Sequence, residues 1–303
     1  MSLPFDPNGP LRIAYLTYRG KPHVGGQGVY TRHLTKALVD LGHHVEVFGG
    51  QPYPILDSRV PLHKLPSLDI FNDQYPGRFG VFALLPMPHV DATLREIEYA
   101  FDVLKADGVA FMTSYGDKFL GDKAFEPVMN ELNRRKATAH THPNEPACCR
   151  NLNTGVPSVI IEYGTDTTRT IASLIYSGTA ARCPDLNFIF SHAGGTISAL
   201  TERFNIQAVR MPHLKQRGFN YDTVMTQLRR FYYDTAQGHH EGAMQALRQL
   251  VPTSQIMYGS DFPYRPGAET REGLNDRQFT QAERIAIDRG NALRLMPQLA
   301  SKA

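Results

Sequence analysis

Residues 187–195 read NFIFSHAGG, an apolar run that is closed by the polar residue His192. Two other segments repeat this arrangement: KATAHTHP closes its run with His142, and IMYGSDFPY closes its run with Asp261. Short apolar runs bounded by glycine or proline are typical of buried parallel strands. Side chains at the carboxyl ends of successive barrel strands converge on one point, so these segments predict both a barrel and its site.

From residue 80 onward, strand-like and helix-like segments alternate. Helices are predicted where apolar residues recur at spacings of three and four: residues 90–107, 124–135, about 165–181, 197–205, 241–250 and 278–295. The predicted strands number six, two short of a closed barrel: VFALLP, GVAFMTS, ATAHTHP, NFIFSHAGG, FYYDTAQ and IMYGSDFPY. The predicted fold class is therefore α/β, with a distorted, incomplete (β/α)8 TIM-like barrel.

The first fifty residues are organised differently. RIAYLTYR has a strand pattern, GGQGVYTRHLTKALVDLG opens with glycines and continues at helical period, and HVEVFGG is a second strand. This order predicts a short Rossmann-like βαβ unit. Residues 51–79 lack a sustained period and are interpreted as a linker. We therefore divide the chain into a βαβ fragment with its linker, 1–76, and a barrel, 77–303.

The composition is that of an ordinary globular enzyme, with 42% apolar and 20% charged residues among 303. A formal net charge of +3, with scattered Lys and Arg, argues against nucleic acid as a partner. No apolar run is long enough to span a bilayer, and the N-terminus lacks a secretory pattern, so no membrane partner is expected. Three cysteines without CxxC spacing favour a cytoplasmic location. A homo-oligomer is compatible with the sequence.

His142, His192 and Asp261 are the candidate site residues. Imidazole nitrogens and a carboxylate oxygen suit a divalent metal ion or a proton relay. A single histidine at a strand end is usually an ordinary polar residue, but three polar strand ends in one barrel indicate a site. An aspartate buried at a barrel mouth also requires a cation or hydrogen bonds.

Other polar residues are candidates for supporting roles. His140 and His142 form an HxH pair, and residues two apart in a strand face the same side. We expect His142 to face the site centre and His140, one pleat deeper, to line the barrel interior or to bond a group behind the ligands. Asp234, which closes FYYDTA, could orient His192 or the substrate, but an ordinary supporting hydrogen bond is the favoured interpretation. Arg150 could bind a substrate carboxylate in bidentate fashion, and an ordinary surface arginine is the alternative.

Three further polar positions are predicted to have structural roles. Asp166, followed by two threonines, is predicted to cap the N-terminus of a helix. His239 and His240 are predicted at a helix start, as capping or solvent-facing residues. Asn291 in GNALRL is expected to have a structural role on the last helix.

Seven segments carry a family resemblance: RFGVFALLP, DGVAFMTSYGDKFLGD, HTHPNEPACCRNL, EYGTDTTRTIASLIYSGTAARCPDLNFIFSHAGGT, YYDTA, YGSDFPYRPG and DRGNALRL. Over about 77–298 the chain resembles the amidohydrolase-2 family, most of all the branch of aminocarboxymuconate-semialdehyde decarboxylase and the salicylate-type decarboxylases. The resemblance implies a distorted (β/α)8 barrel that binds zinc or manganese and catalyses non-oxidative decarboxylation or hydrolysis. By position, it implies that His142 and Asp261 bind the metal. It also implies that His192 holds the substrate and manages the proton.

The N-terminal part departs from that family. Family members open with a strand ending in HxH, or a close variant, that supplies two metal ligands, and no such segment precedes residue 80. LRIAYLTYR, VGGQGVYTRHLTKALVDLGHHVEVFGG and LPSLDIF instead resemble the N-terminal half of a GT-B family-4 glycosyltransferase. In such enzymes Gly25, Gly26 and Gly28 would form a loop that approaches a phosphate or sugar. A tight strand-to-helix connection explains these glycines equally well.

The sequence therefore predicts a metal-dependent decarboxylase, a carbon–carbon lyase, that acts on a small aromatic or related carboxylic acid. Zinc is the expected metal and manganese the alternative. His192 and Asp261 would share delivery of the proton. Hydrolysis of a cyclic ester or amide at the same site is the nearest alternative. A glycosyltransferase remnant and an inactive fusion without a working metal centre are two more, since loss of two ligands would weaken metal binding.

Overall fold

Two parallel sheets organise the chain, each in its own unit. The computed structural model describes residues 9–17, 26–50, 52–65, 79–149, 155–275 and 279–302. Internal contacts divide the protein into two compact units, Met1–Phe79 and Gly80–Ala303. Within the described ranges, no helix is both long enough and apolar enough to cross a bilayer.

The first unit contains the predicted βαβ arrangement. Strand β1 (Arg12–Thr17) pairs in parallel with β2 (His44–Gly49), and helix α1 (Gly26–Asp40) connects them. A third strand, β3 (Leu62–Lys64), pairs in parallel with β2. The parallel pairing requires a crossover connection, which α1 supplies between β1 and β2.

Strand β3 corrects the interpretation of residues 51–79 as a linker. Three residues are too few to show a strand period, so the sequence pattern did not reveal it. The approach to this strand is buried, since Val60 packs against Val45 and Val47 in the small core of the first unit. Burial in the tertiary structure therefore decides the strand, and local propensity does not.

The second unit contains the predicted barrel strands. Along the chain its strands are β4 (Phe82–Leu84), β5 (Gly108–Met112), β6 (Ser114–Tyr115), β7 (Lys118–Phe119), β8 (Thr138–His142), β9 (Asn187–Phe190), β10 (Tyr232–Asp234) and β11 (Ile256–Met257). β6 and β7 form a short antiparallel hairpin that the sequence pattern does not indicate. The other six form one parallel sheet in the order β11-β10-β9-β8-β5-β4, which confirms the six predicted strands. Among the described residues the sheet ends at β4 and β11 without closing, as an incomplete barrel should.

Helices connect these strands. They are α2 (Val90–Glu98), α3 (Glu126–Arg134), α4 (Ser158–Tyr176), α5 (Thr179–Arg182), α6 (Ile197–Arg210), α7 (Pro212–Gln216), α8 (Tyr221–Arg230), α9 (Glu241–Leu250), α10 (Gly267–Asn275), α11 (Gln281–Ile285) and α12 (Asn291–Leu295). π-helical turns follow α2 at Tyr99–Val103 and join α11 to α12 at Ala286–Gly290. Helix α9 coincides with the predicted 241–250, and the ring of His240 caps it by accepting a bond from Ala243 N–H. Helices α7, α8 and α10 are not indicated by the sequence pattern.

The long helix α4 begins earlier than the sequence predicts. It starts directly after Pro157, so Asp166 lies in its middle, and the prediction of a helix cap was wrong. Asp166 is fully buried and accepts hydrogen bonds from the hydroxyls of Thr113 and Ser114, which follow β5. Burial raises the pKa of this carboxyl, and the two hydroxyl bonds oppose the rise. The backbone N–H of Asn144, in the segment after β8, donates to the hydroxyl oxygen of Thr113 at 3.3 Å. Asp166 thereby ties two strand ends to α4.

The core beneath the sheet is aromatic around β9 and β10. Phe190 and Phe231 pack edge to face with ring centroids 5.1 Å apart, and Phe188 meets Phe231 at 6.0 Å. All three rings are fully buried. Strands with apolar residues on both faces are typical of parallel sheets covered by helices, and this packing holds β9 against the amino end of β10.

Asn291 has the structural position that the sequence predicts. It is buried at the start of α12, and its amide nitrogen donates to the backbone oxygens of Thr253 at 2.9 Å and Ile256 at 2.7 Å. Ile256 is the first residue of β11. The side chain therefore fastens the last strand of the sheet to the last helix.

Replacing Asn291 by alanine should destabilise the protein by about 1–3 kcal/mol, because two buried carbonyl groups lose their donor. Urea denaturation followed by circular dichroism measures the change. The matched control is Asn275→Ala, at the exposed end of α10, which should change stability by less than about 0.5 kcal/mol. Equal stability of the two variants would contradict this role of Asn291.

Candidate active site

Four polar side chains follow the carboxyl ends of neighbouring strands in the second unit. His142 is the last residue of β8 and Asp234 the last of β10. His192 and Asp261 come shortly after the ends of β9 and β11. Because the sheet is parallel, these ends meet at one edge. All four residues border one cavity of about 610 Å³.

His142, His192 and Asp261 converge inside this cavity. Each offers one nitrogen or oxygen atom, and these three atoms lie within 4.8 Å of one another. The Nε2 atom of His142 is 3.8 Å from Oδ1 of Asp261. The rings of His142 and His192 meet edge to face, with centroids 5.4 Å apart. The structure thus brings together the three residues that close the apolar runs.

The ring of His192 is held in one orientation by backbone. Its Nδ1 atom is 3.0 Å from the carbonyl oxygen of Ala236. A carbonyl only accepts hydrogen bonds, so Nδ1 carries the hydrogen and Nε2 is the nitrogen left for chemistry. Asp234 contacts the backbone of this residue, since its Oδ1 accepts from the backbone N–H of His192 at 2.9 Å.

Asp234 lies behind the three converging residues. It is almost fully buried, and its Oδ1 atom also accepts from the N–H of Ala236 at 3.0 Å. Its other oxygen, Oδ2, is 3.2 Å from Nε2 of His140. His140 lines the cavity but points this nitrogen at Asp234. His140 and Asp234 therefore support each other one layer below His142 and His192.

The backbone around the site is strained. His192, Gln237 and Asp261 have φ of 56°, 50° and 60°, in the left-handed region. Such residues cost about 1–3 kcal/mol each and persist where the surrounding structure imposes them, often at functional sites. Gly195 has φ +66°, and a Cβ atom there would lie 2.0 Å from the backbone oxygen of Gly164. The SHAGG turn therefore requires glycine to pass close to α4.

The cavity walls are mainly apolar. Phe82, Ile189, Met257 and Met296 contribute apolar surface. Phe262 and several other aliphatic or aromatic residues complete the wall, and none of the described residues around it is Lys or Arg. The cavity therefore suits a small ligand with an apolar ring, whose polar end would contact the histidine and aspartate side chains.

His142 has a shifted pKa. Burial lowers the pKa of its imidazole, and the nearby ring of His192 lowers it further, while the carboxylate of Asp261 opposes the shift. The ring therefore stays neutral over a pH range in which an ordinary histidine is protonated. A neutral imidazole is the form that binds metal ions.

Some of the residues singled out in the sequence lie outside the part of the chain that the structure describes. Arg150, the candidate for substrate binding, and Gly25 lie outside the described residues. Gln237 is a site residue that the sequence reasoning missed: its Nε2 donates a short hydrogen bond to Oδ2 of Asp261. It lies three residues beyond the strand end at Asp234, in DTAQG. The signal available was a polar residue next to glycine directly after a functional strand end.

Comparisons with known proteins agree with the motif-based resemblance along the second unit. The amidohydrolase family matches residues 70–297. A decarboxylase of Aspergillus niger is 36% identical over 252 residues, which cover 77% of this chain and 67% of that protein. The 6-methylsalicylic acid decarboxylase of Penicillium expansum is 33% identical over 239 residues, covering 77% of this chain and 73% of that protein. The predicted resemblance is confirmed, and the relatives favour a lyase over a hydrolase.

A separate, shorter match concerns a glycosyltransferase. The MMP alpha-(1->4)-mannosyltransferase of Mycolicibacterium hassiacum is 61% identical over 69 residues, which cover 22% of this chain and 17% of that protein. This match partly supports the predicted glycosyltransferase-like fragment. It spans too little of that protein to carry its activity over.

Solved structures share the fold. A 2,6-dihydroxybenzoate decarboxylase complexed with 2,6-dihydroxybenzoate gives a TM-score of 0.66 at 16% identity, covering 95% of this chain and 99% of that chain. A dihydroxybenzoic acid decarboxylase of Polaromonas sp. JS666, with bound manganese and an inhibitor, gives 0.67 at 15% identity, covering 96% and 97%. At these identities the likeness is one of fold, and it agrees with the predicted TIM-like barrel.

The pKa of His142 provides a test of the site geometry. In metal-free protein, its imidazole should titrate below the ordinary value of 6.5. His192→Gln should raise this midpoint by removing a repulsive neighbour, and Asp261→Asn should lower it further by removing an attractive one. Histidine ring resonances followed by NMR against pH give the midpoints. Shifts in the same direction in both variants would contradict the proximity of the three side chains.

Proposed function

Because the chain belongs to the amidohydrolase family and resembles decarboxylases over three quarters of its length, we infer that it is a metal-dependent carboxy-lyase of small aromatic carboxylic acids. The observation that carries this inference is the convergence of His142, His192 and Asp261 within 4.8 Å in an apolar cavity. Release of carbon dioxide from an aromatic acid needs a binding position for the carboxylate, a proton donor, and an apolar wall that keeps water away from the aromatic ring. The cavity offers all three.

The residues of the site fit a divalent metal ion. Two imidazole nitrogens and a carboxylate oxygen are ligands of zinc and of manganese, and a half-buried carboxylate facing two imidazoles is a suitable donor set. His142 and Asp261 would hold the ion, with His192 next to it. When bound, the ion withdraws negative charge from the substrate carboxylate or an adjoining hydroxyl. We propose zinc, and the manganese of the Polaromonas structure makes manganese the second choice.

His192 is the proposed proton donor. Its Nδ1–H is fixed on Ala236, so a proton taken up by the ring stands on Nε2. As the bond between the ring carbon and the carboxyl carbon breaks, its electron pair takes the proton from Nε2 and carbon dioxide leaves. Asp261 shares this delivery, because its nearby carboxylate stabilises the positive charge of the protonated ring.

His142 contributes by staying neutral. Its lowered pKa keeps a nitrogen lone pair available for the ion. The apolar wall formed by Phe82, Ile189 and Met257 holds the aromatic ring and excludes water from it. Two relatives at 33% and 35% identity are named 6-methylsalicylic acid decarboxylases, so ortho-hydroxylated benzoic acids are the proposed substrate class.

A cytoplasmic location and a homo-oligomeric state stay predictions from the sequence. All three cysteines are free, and the thiols of Cys148 and Cys149 are in hydrogen-bond contact at 3.0 Å without a disulfide. Free thiols fit a reducing compartment.

The protein should convert 6-methylsalicylate into 3-methylphenol and carbon dioxide. His192→Gln should lower kcat by about 10²- to 10⁴-fold, because it removes the proton donor. Product formation is measured by liquid chromatography, and carbon dioxide is measured in a coupled assay. His213→Gln, on an exposed position of α7, is the control and should keep full activity. Turnover in the His192 variant at the wild-type rate would reject this role. Absence of turnover with a panel of ortho-hydroxybenzoates would reject the substrate class.

Metal dependence can be measured without substrate. After chelation and reloading, the wild-type protein should retain about one zinc or manganese ion per chain by elemental analysis. His142→Ala should raise the Kd for the metal by more than roughly 10- to 100-fold, which is the effect of losing a residue that only hydrogen-bonds to a ligand. The His213→Gln protein again provides the control. Negligible metal in the reloaded wild-type protein would reject the metal-dependent mechanism and favour the inactive fusion.

A further inference from the structure

The turn after β10 contacts two of the three site residues. The backbone oxygen of Ala236 accepts the Nδ1–H of His192, and the next residue, Gln237, donates its side-chain amide to Oδ2 of Asp261. We propose that Gln237 is a positioning residue that holds the carboxylate of Asp261 so that only Oδ1 is presented to the site. This inference rests on the proposed function, in which Oδ1 meets the metal and supports the proton.

The two oxygens of Asp261 have different partners. Oδ1 lies 3.8 Å from Nε2 of His142, on the cavity side. Oδ2 accepts from Nε2 of Gln237. Carboxylate torsions are broad and roughly two-fold, so nothing intrinsic to aspartate distinguishes its two oxygens. A donor placed on one of them breaks this equivalence and fixes the plane of the group.

Gln237 acts from outside the cavity. Its side chain is exposed, and it is not among the residues that line the cavity. It therefore has no wall position through which to contact the substrate. Its effect on the reaction must pass through Asp261, which predicts a change in metal affinity and in kcat with little change in KM.

The backbone of Gln237 is unfavourable for glutamine. Its φ of 50° lies in the left-handed region, where glycine or asparagine is usual. The turn itself is held by other bonds, from Gly238 N–H to the oxygen of Thr235 at 3.1 Å and from Ala236 N–H to Asp234. A glycine at this position would relieve the strain but would lack the amide. A strained glutamine whose amide bonds a site carboxylate is therefore better explained by the bond than by the turn.

Two substitutions separate the amide from the backbone strain. Gln237→Met keeps the length of the side chain and the strain but removes the donor. Gln237→Gly removes the donor and relieves the strain, so its Tm should equal or exceed that of the wild type. The control is Gln245→Met, on the exposed face of α9, where the amide bonds Glu241 at 3.0 Å.

Binding of Mn²⁺ by calorimetry, kcat and KM for 6-methylsalicylate, and Tm are measured for all four proteins. Both Gln237 variants should bind Mn²⁺ about 10- to 100-fold more weakly and show a lower kcat with nearly unchanged KM, whereas Gln245→Met should match the wild type. A lowered Tm with unchanged Mn²⁺ affinity and kcat would overturn the proposal in favour of a structural role. Unchanged values in every measurement would overturn it as well. Failure of the wild type itself to bind Mn²⁺ or release carbon dioxide would overturn the proposed function and, with it, this inference.

Discussion

The site depends on one buried carboxylate, that of Asp234. Its Oδ1 accepts from the backbone N–H groups of His192 and Ala236, and its Oδ2 lies against the ring of His140. One side chain at the end of β10 therefore joins β10 to the middle of β8 and to the segment after β9. A buried carboxylate is costly unless its oxygens are bonded, so the three strand ends must stay in register to satisfy it. At this edge of the sheet the rings of His142 and His192 meet, with centroids 5.4 Å apart.

The fourth strand end is joined by backbone packing. A Cβ atom at Gly259 would lie 2.8 Å from the carboxyl carbon of Asp234, so β11 passes this residue at a distance that only glycine allows. Thr235 and Gly259 exchange hydrogen bonds through the threonine hydroxyl. These contacts position Asp261, two residues further along the chain, at the cavity. Gly259-Ser260-Asp261 is thus a packing motif as well as a chemical one.

The donor set is smaller than the family resemblance implies. Family members gain two ligands from an HxH strand at the start of the barrel, and the HxH of this chain, His140 to His142, does not replace it. His140 is held at Asp234, so only His142 of this pair reaches Asp261. In the proposed site His142 and Asp261 are therefore the side chains left to hold the ion, with His192 beside it as the proton donor. The strained φ angles at His192, Gln237 and Asp261 cost stability, and they persist because the surrounding structure holds these residues at the site.

Much of the fold and of the candidate site could be predicted from the sequence alone. The six barrel strands, the βαβ unit and the strand ends at His142, His192 and Asp261 all follow from apolar runs of defined length, because parallel strands are buried on both faces and bring their carboxyl ends together. Strand β3, the middle-of-helix position of Asp166 and the bond from Gln237 to Asp261 could not be predicted. Each depends on which residues from distant parts of the chain become neighbours in the folded protein. The local spacing of apolar residues does not contain this information. The sequence determined which side chains stand at the strand ends, whereas only the tertiary structure decided which atom of each faces the cavity, because hydrogen bonds from other segments set the orientation.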